Sequence, residues 1–179
     1  ANSFSITRTE VTFKQFDAFC VATSREMPDD SEWGRGDRPV INITYADAIA
    51  YCDWLGSLLS KTIRLPSVDE WEYAARGGVK GGDGKFYSGS NVLEDVSWCK
   101  FNSNERTQPV GLKKSNELGI YDMSGNVYEF CEGVEDSMIV LKGGSWVNSG
   151  VGCRLSDHVV SKINFWDDNI GFRCVVSEL

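Results

Sequence analysis

The chain has 179 residues, 41% of them hydrophobic, with a formal net charge of −8, a sequence pI near 4.7 and a mean hydropathy of −0.27. That length can bury one sizeable core but not two, so a single domain spanning residues 1–179 is expected. The acidic balance argues against nucleic acid, whose phosphates demand clustered Lys and Arg, and against docking on anionic membranes; no apolar run approaches the roughly 20 residues of a membrane span, and nothing has the layout of a signal peptide.

Three helix starts stand out in the first half. In TFKQFDAFC, Thr12 is an N-cap with Gln15 three residues on; in TYADAIAYCDWLGSLL, Thr44 and Asp47 repeat the arrangement; in PSVDEWEYAAR, Ser67 and Glu70 follow Pro66. Such a pair satisfies two amides that the first helical turn would otherwise leave unpaired. In the second segment Ile49, Cys52, Leu55 or Gly56, and Leu59 fall at helical spacing and predict one buried face. After Arg76 the chain turns rich in Gly, Ser, Asn and Asp, with short apolar pieces, MIVLKGG and GFRCVV, that read as strands. Helices first and short strands among long loops afterwards make an α+β domain, not an alternating βαβ sheet.

Six cysteines (Cys20, Cys52, Cys99, Cys131, Cys153, Cys174) are scattered without a CxxC pair, and His158 is the single histidine. That spacing disfavours zinc. An even count permits disulfides in an oxidising compartment; the same residues serve equally as buried, reduced thiols.

Six ordered blocks, EVTFKQFDAFC, RPVINITYADAIAYCDWL, RLPSVDEWEYAARGG, NELGIYDMSGNVYEF, LKGGSW and NIGFRC, make the chain similar to the formylglycine-generating enzyme, or sulfatase-modifying factor, superfamily. The resemblance implies a C-type lectin-like fold of few helices, small twisted sheets and much irregular loop. Members usually carry a further strand or two before the EVT block, so a trimmed N-terminus is expected. Catalytic members hold copper with two cysteines near the GGS block. Aligned on GGSWVNSGVGC, the first falls at Asn148 and the second at Cys153. Monovalent copper needs a soft thiolate pair, and asparagine breaks it. No catalytic residue and no required cofactor are therefore expected; the alternative is an oxidase, a formylglycine-generating or sulfatase-maturing enzyme, acting through Cys153.

The resemblance carries two structural expectations. YDMSGNVYEF matches the family's calcium loop, with Asp122 and Glu129 as carboxylate ligands and Gly125 and Val127 as carbonyl ligands; the same residues also suit a plain turn. In secreted relatives the cysteine of the AYC helix bonds that of GFRC, here Cys52 and Cys174. A bridge there would contribute roughly 4 to 5 kcal/mol by loop-entropy arguments, and the alternative is two thiols packed side by side.

Between LKGGSW and NIGFRC lies VNSGVGCRLSDHVVSKINFWDD, with neither helical nor alternating periodicity. Its Val, Phe and Trp content, where ordinary members have Asn, Arg and Asp, resembles the variable proteins of diversity-generating retroelements, which keep the scaffold and let this stretch change. That resemblance implies a non-catalytic binding protein, monomeric, displayed extracytoplasmically on a bacterial surface as a lipoprotein, with a protein ligand. Within residues 147–170 the expected ligand-facing set is Val147, Asn148, Ser149, Gly150, Val151, Leu155, Asp157, His158, Val159, Ile163, Phe165 and Trp166, the two aromatics serving as anchors. No Glu-Pro-Asn or Gln-Pro-Asp sugar-binding tripeptide occurs.

Overall fold

The three capping boxes form where the sequence places them. A computed structural model, describing residues 3–82 and 84–177, begins α1 (Phe13–Thr23) after Thr12, α2 (Tyr45–Leu59) after Thr44 and α3 (Val68–Ala75) after Ser67. Each N-cap oxygen accepts from the backbone three residues on, and the Gln15, Asp47 or Glu70 side chain answers the N-cap amide. Both α1 and α2 stop at a left-handed serine, Ser24 and Ser60.

The α2 face differs from expectation at its end. Tyr45, Ala48, Tyr51, Cys52 and Gly56 are buried, whereas Leu59 is exposed. The stripe ends on a glycine because the chain returns tightly after the helix: a side chain at Gly56 would meet the Lys61 carbonyl oxygen at 2.8 Å. Leu59, in the last turn, has passed beyond the partner surface.

Two small sheets complete an α+β architecture. One is antiparallel and joins the ends of the chain, in the order β1 (Phe4–Ile6), β7 (Val175–Ser177), β2 (Ile63–Arg64). The other runs β5 (His158–Lys162), β4 (Met138–Lys142), β3 (Tyr128–Phe130), β6 (Ile170–Gly171), antiparallel except for the β3–β6 pair. GFRCVV thus contributes to two strands, not one: Gly171 closes β6 in the second sheet and Val175 opens β7 in the first. A single helical turn, α4 (Leu93–Val96), and short 3-10 turns at Gly78–Lys80 and Val151–Cys153 interrupt the loops.

Aromatic rings knit the helices to the sheets. Phe16 stacks on Tyr51 with centroids 5.6 Å apart, and Phe172, beside β6, meets both edge-on at 6.2 and 5.4 Å. Burying each such ring contributes roughly 1.5 to 3 kcal/mol, so this cluster is the main tie between α1, α2 and the C-terminal chain.

Candidate ligand-binding surface

The chain leaves β4 through Gly143 and Gly144, both left-handed with φ of 92° and 73°, a conformation that side chains disfavour. A Cβ on Gly144 would collide with the Gly152 carbonyl. The glycine pair therefore lets the 3-10 turn at Val151–Cys153 fold back over the GGSW corner. Asn148 locks that corner: its Oδ1 accepts from the Ser145 amide at 2.8 Å and the Ser145 hydroxyl at 2.7 Å. The position that would carry the first copper thiolate in catalytic relatives here pins a turn.

Cys153 is fully buried with Leu93 and Cys99, and Tyr87 packs against them. Burial, with Cys99 adding to it, pushes its thiol up to about 12. Almost no thiolate exists there near neutral pH, which makes it a weak nucleophile. Cys99 as a neighbour was not legible in sequence spacing.

The expected ligand-facing residues divide. Val147, Ser149, Val151, His158, Val159, Phe165 and Trp166 are exposed, with Val151 60%, Phe165 45% and Trp166 55% accessible. Leu155 corrects the expectation: it is 2% exposed and packs with Trp71, Ile120, Met123 and Cys131, since the backbone dips inward between the 3-10 turn and β5. Asn148, Gly150, Asp157 and Ile163 are half-buried. Asn148 is committed to Ser145, a side chain at Gly150 would press on the Tyr87 hydroxyl, and Ile163 packs on the main core. Val160, absent from the expected set, is exposed and lines a 540 Å³ groove with Val134 and Met138.

The backbone of the same segment is held by its surroundings. The Asn148 carbonyl accepts from Lys100, the Leu155 amide donates to Phe86, the Ile163 amide to Ser137, and the Asp167 carbonyl accepts from Asn42. Lys142, fully buried at the end of β4, donates to the carbonyls of Leu155 and Asp157 at 2.9 and 2.8 Å and to Glu72 at 2.9 Å. β5 is in register with β4 along all five residues. Sequence reasoning missed Lys142, whose signal is a charge inside an apolar strand.

Beneath this surface both acids of the expected calcium loop are buried. Glu129 is fully buried, its Oε2 accepting from Trp71 Nε1 and Arg173 Nε at 2.6 Å each and its Oε1 from Arg173 at 2.7 Å. An arginine already neutralises the carboxylate that calcium would need, and Asp122 Oδ2 accepts from the Gly111 amide at 2.7 Å. Among the described residues no three His, Cys, Asp or Glu side chains converge as a metal-binding group. Of the expected calcium ligands, Glu129 is thus committed to Arg173, while Asp122 keeps its Oδ1 buried without a hydrogen-bond partner among the described residues. Cys52 and Cys174 do meet, as thiols with sulfurs 3.7 Å apart; of the two alternatives, the structure holds the unbridged pair.

No helix among the described residues is long and apolar enough to cross a membrane. Comparison with known proteins places this geometry. The chain is 33% identical to the chaperone protein LppX of Paenibacillus barcinonensis, over 83% of this chain and 71% of that one. It is 32% identical to the inactive C-alpha-formylglycine-generating enzyme 2 of Bos taurus, over 76% of this chain and 49% of the relative, so it spans about half of that protein. Among solved structures, Treponema denticola variable protein 1 superposes with a TM-score of 0.83 at 26% identity, over 98% of this chain and 84% of its own. Residues 1–178 match the sulfatase-modifying factor enzyme 1-like domain, and the chain belongs to that family.

Proposed function

We propose that this protein is a non-catalytic display scaffold that binds protein ligands through the exposed side chains of residues 147–170, and that a diversity-generating retroelement varies that segment. The observation that carries the reading is the division of labour just described. Framework groups hold the main chain of the segment, through amides and carbonyls that every residue but proline supplies, while Val147, Val151, Phe165 and Trp166 face solvent. Side chains can then change without loss of the tethers. Rigid aromatics at an exposed edge supply binding energy at small entropic cost. The fold shared with a variable protein supports the reading, as do the asparagine at position 148 and the buried, protonated Cys153. Display on a bacterial surface through a lipid anchor, as a monomer, completes the proposal.

A displayed library tests it, with Val147, Ser149, Val151, Val159, Val160, Phe165 and Trp166 diversified together. Most members are expected to fold, and selection against unrelated protein baits to yield binders whose affinity resides in those positions. A library that folds only with the present residues contradicts the proposal. So does stoichiometric tight copper binding that disappears in Cys153→Ser, which would restore the enzyme alternative.

A further inference from the structure

Trp166 closes a groove that the framework builds. The groove, 570 Å³, runs between the end of α1, the chain that follows it and the start of α2. Phe19 lies in its floor, with Met27, Glu26, Asp29 and Asp47 around it. Trp166 is 55% exposed and Met27 46%, so an apolar wall faces solvent beside three carboxylates.

The protein's own Arg25 shows what this combination attracts. Its guanidinium lies 5.3 Å from the centroid of the Phe19 ring and 3.5 Å from Asp47 Oδ1. Glu26 and Asp29 have no ion-pair partner among the described residues. Their backbone is nevertheless fixed: the Cys20 thiol donates to the Glu26 carbonyl at 3.5 Å, Arg35 to that of Pro28 at 2.8 Å and Asn42 to that of Asp29 at 2.9 Å. Two carboxylates without an ion-pair partner, of which Asp29 also accepts the Ser31 amide at 2.6 Å, thus stand on a fixed backbone and line one groove with the exposed Trp166.

We propose that this groove receives a cationic side chain, above all arginine, from a basic segment of a protein partner. The guanidinium would lie on Trp166, where a ring face attracts a cation, within reach of Glu26 and Asp29, while its aliphatic stem packs on Met27, a side chain that adapts to irregular apolar shapes. Two acids in a framework loop then set a preference for basic partners, through electrostatic complementarity, whatever the neighbouring variable positions contain. The inference rests on the reading of Trp166 as ligand-facing.

The test is titration of the 15N-labelled full chain with the capped tripeptide acetyl-Gly-Arg-Gly-amide and its citrulline counterpart, following the Trp166 indole N–H resonance assigned with Trp166→Phe. The arginine peptide is expected to shift that resonance saturably, and the neutral citrulline peptide not to. The double variant Glu26→Gln, Asp29→Asn should weaken the arginine effect about threefold or more, with all other indole resonances unmoved. Absence of a shift, equal shifts from both peptides, or an unchanged double variant overturns the inference. A library that yields no protein binders would sink the display reading while leaving an arginine-specific shift intact; the converse pattern would sink only the cation groove.

Discussion

Glu10 and Asp122 each bury one carboxylate oxygen, Oε2 and Oδ1, without a hydrogen-bond partner among the described residues. Burial pushes Asp122 up to about 6, with Glu129 raising it further against the Gly111 amide, Arg173 and Lys113. Burial likewise lifts Glu10 well above the ordinary carboxylate range, and Asp122 adds to it. A folded-state value above the unfolded one means that the native state holds its proton longer. Stability from Asp122 is therefore full below about pH 4 and declines as pH rises through about 6, by on the order of 3 kcal/mol. Asp122→Asn keeps an acceptor for Gly111 and removes the charge. It is expected to raise stability at pH 7.5 and flatten the profile between pH 4 and 7, read by urea unfolding at each pH; an unchanged or lowered stability at pH 7.5 contradicts the assignment. Part of this chemistry was legible: Glu129 and Arg173 are opposite charges set in apolar blocks, and buried charges require partners. The partner itself was not, because 44 residues separate them, and local spacing could not say that Glu129 would pair with an arginine. Leu155 escaped for a different reason: it sits between a 3-10 turn and a strand, where no period marks the inward side.

Helix starts were the best-read elements, since a capping box is a local device whose two bonds close within four residues. Helix faces and strand limits depend on what arrives from elsewhere in the chain, which is why Leu59 and the single strand expected in GFRCVV differ from the structure. Lys142 belongs to this scale, as the joint among β4, α3 and the chain entering β5. Its ammonium is buried at 1% side-chain exposure against a partly exposed Glu72, and it answers two carbonyls at once. Lys142→Met, close in shape, would leave those carbonyls unanswered and Glu72 with Arg76 as its one remaining ion-pair partner among the described residues. The expected cost is about 3 kcal/mol, measured by denaturant unfolding, with increased proteolytic cutting between Arg154 and Lys162. A variant within 0.5 kcal/mol of the parent, roughly the range of an ordinary surface change, would show that the joint is dispensable.

For the whole molecule, the motif blocks give the framework and the family, and the structure adds how that framework carries the stretch between two of them. The Lys142 joint, the β4 ladder and the Asn42 contact hold residues 147–170 by main-chain atoms, the Asn148 side chain and the inward Leu155 and Ile163 add to them, and the aromatics stand outside. Amide hydrogen exchange tests this most directly, comparing the parent with a variant carrying Val151→Ser, Val160→Thr, Phe165→Ser and Trp166→Ser. Protection at the Leu155 and Ile163 amides, which bond to Phe86 and Ser137, is predicted to stay within about tenfold of the parent, equivalent to about 1.4 kcal/mol. Loss of that protection to the level of an unfolded chain, while α1 and α2 remain protected, would mean that the exposed side chains hold the segment in place, and would contradict the account.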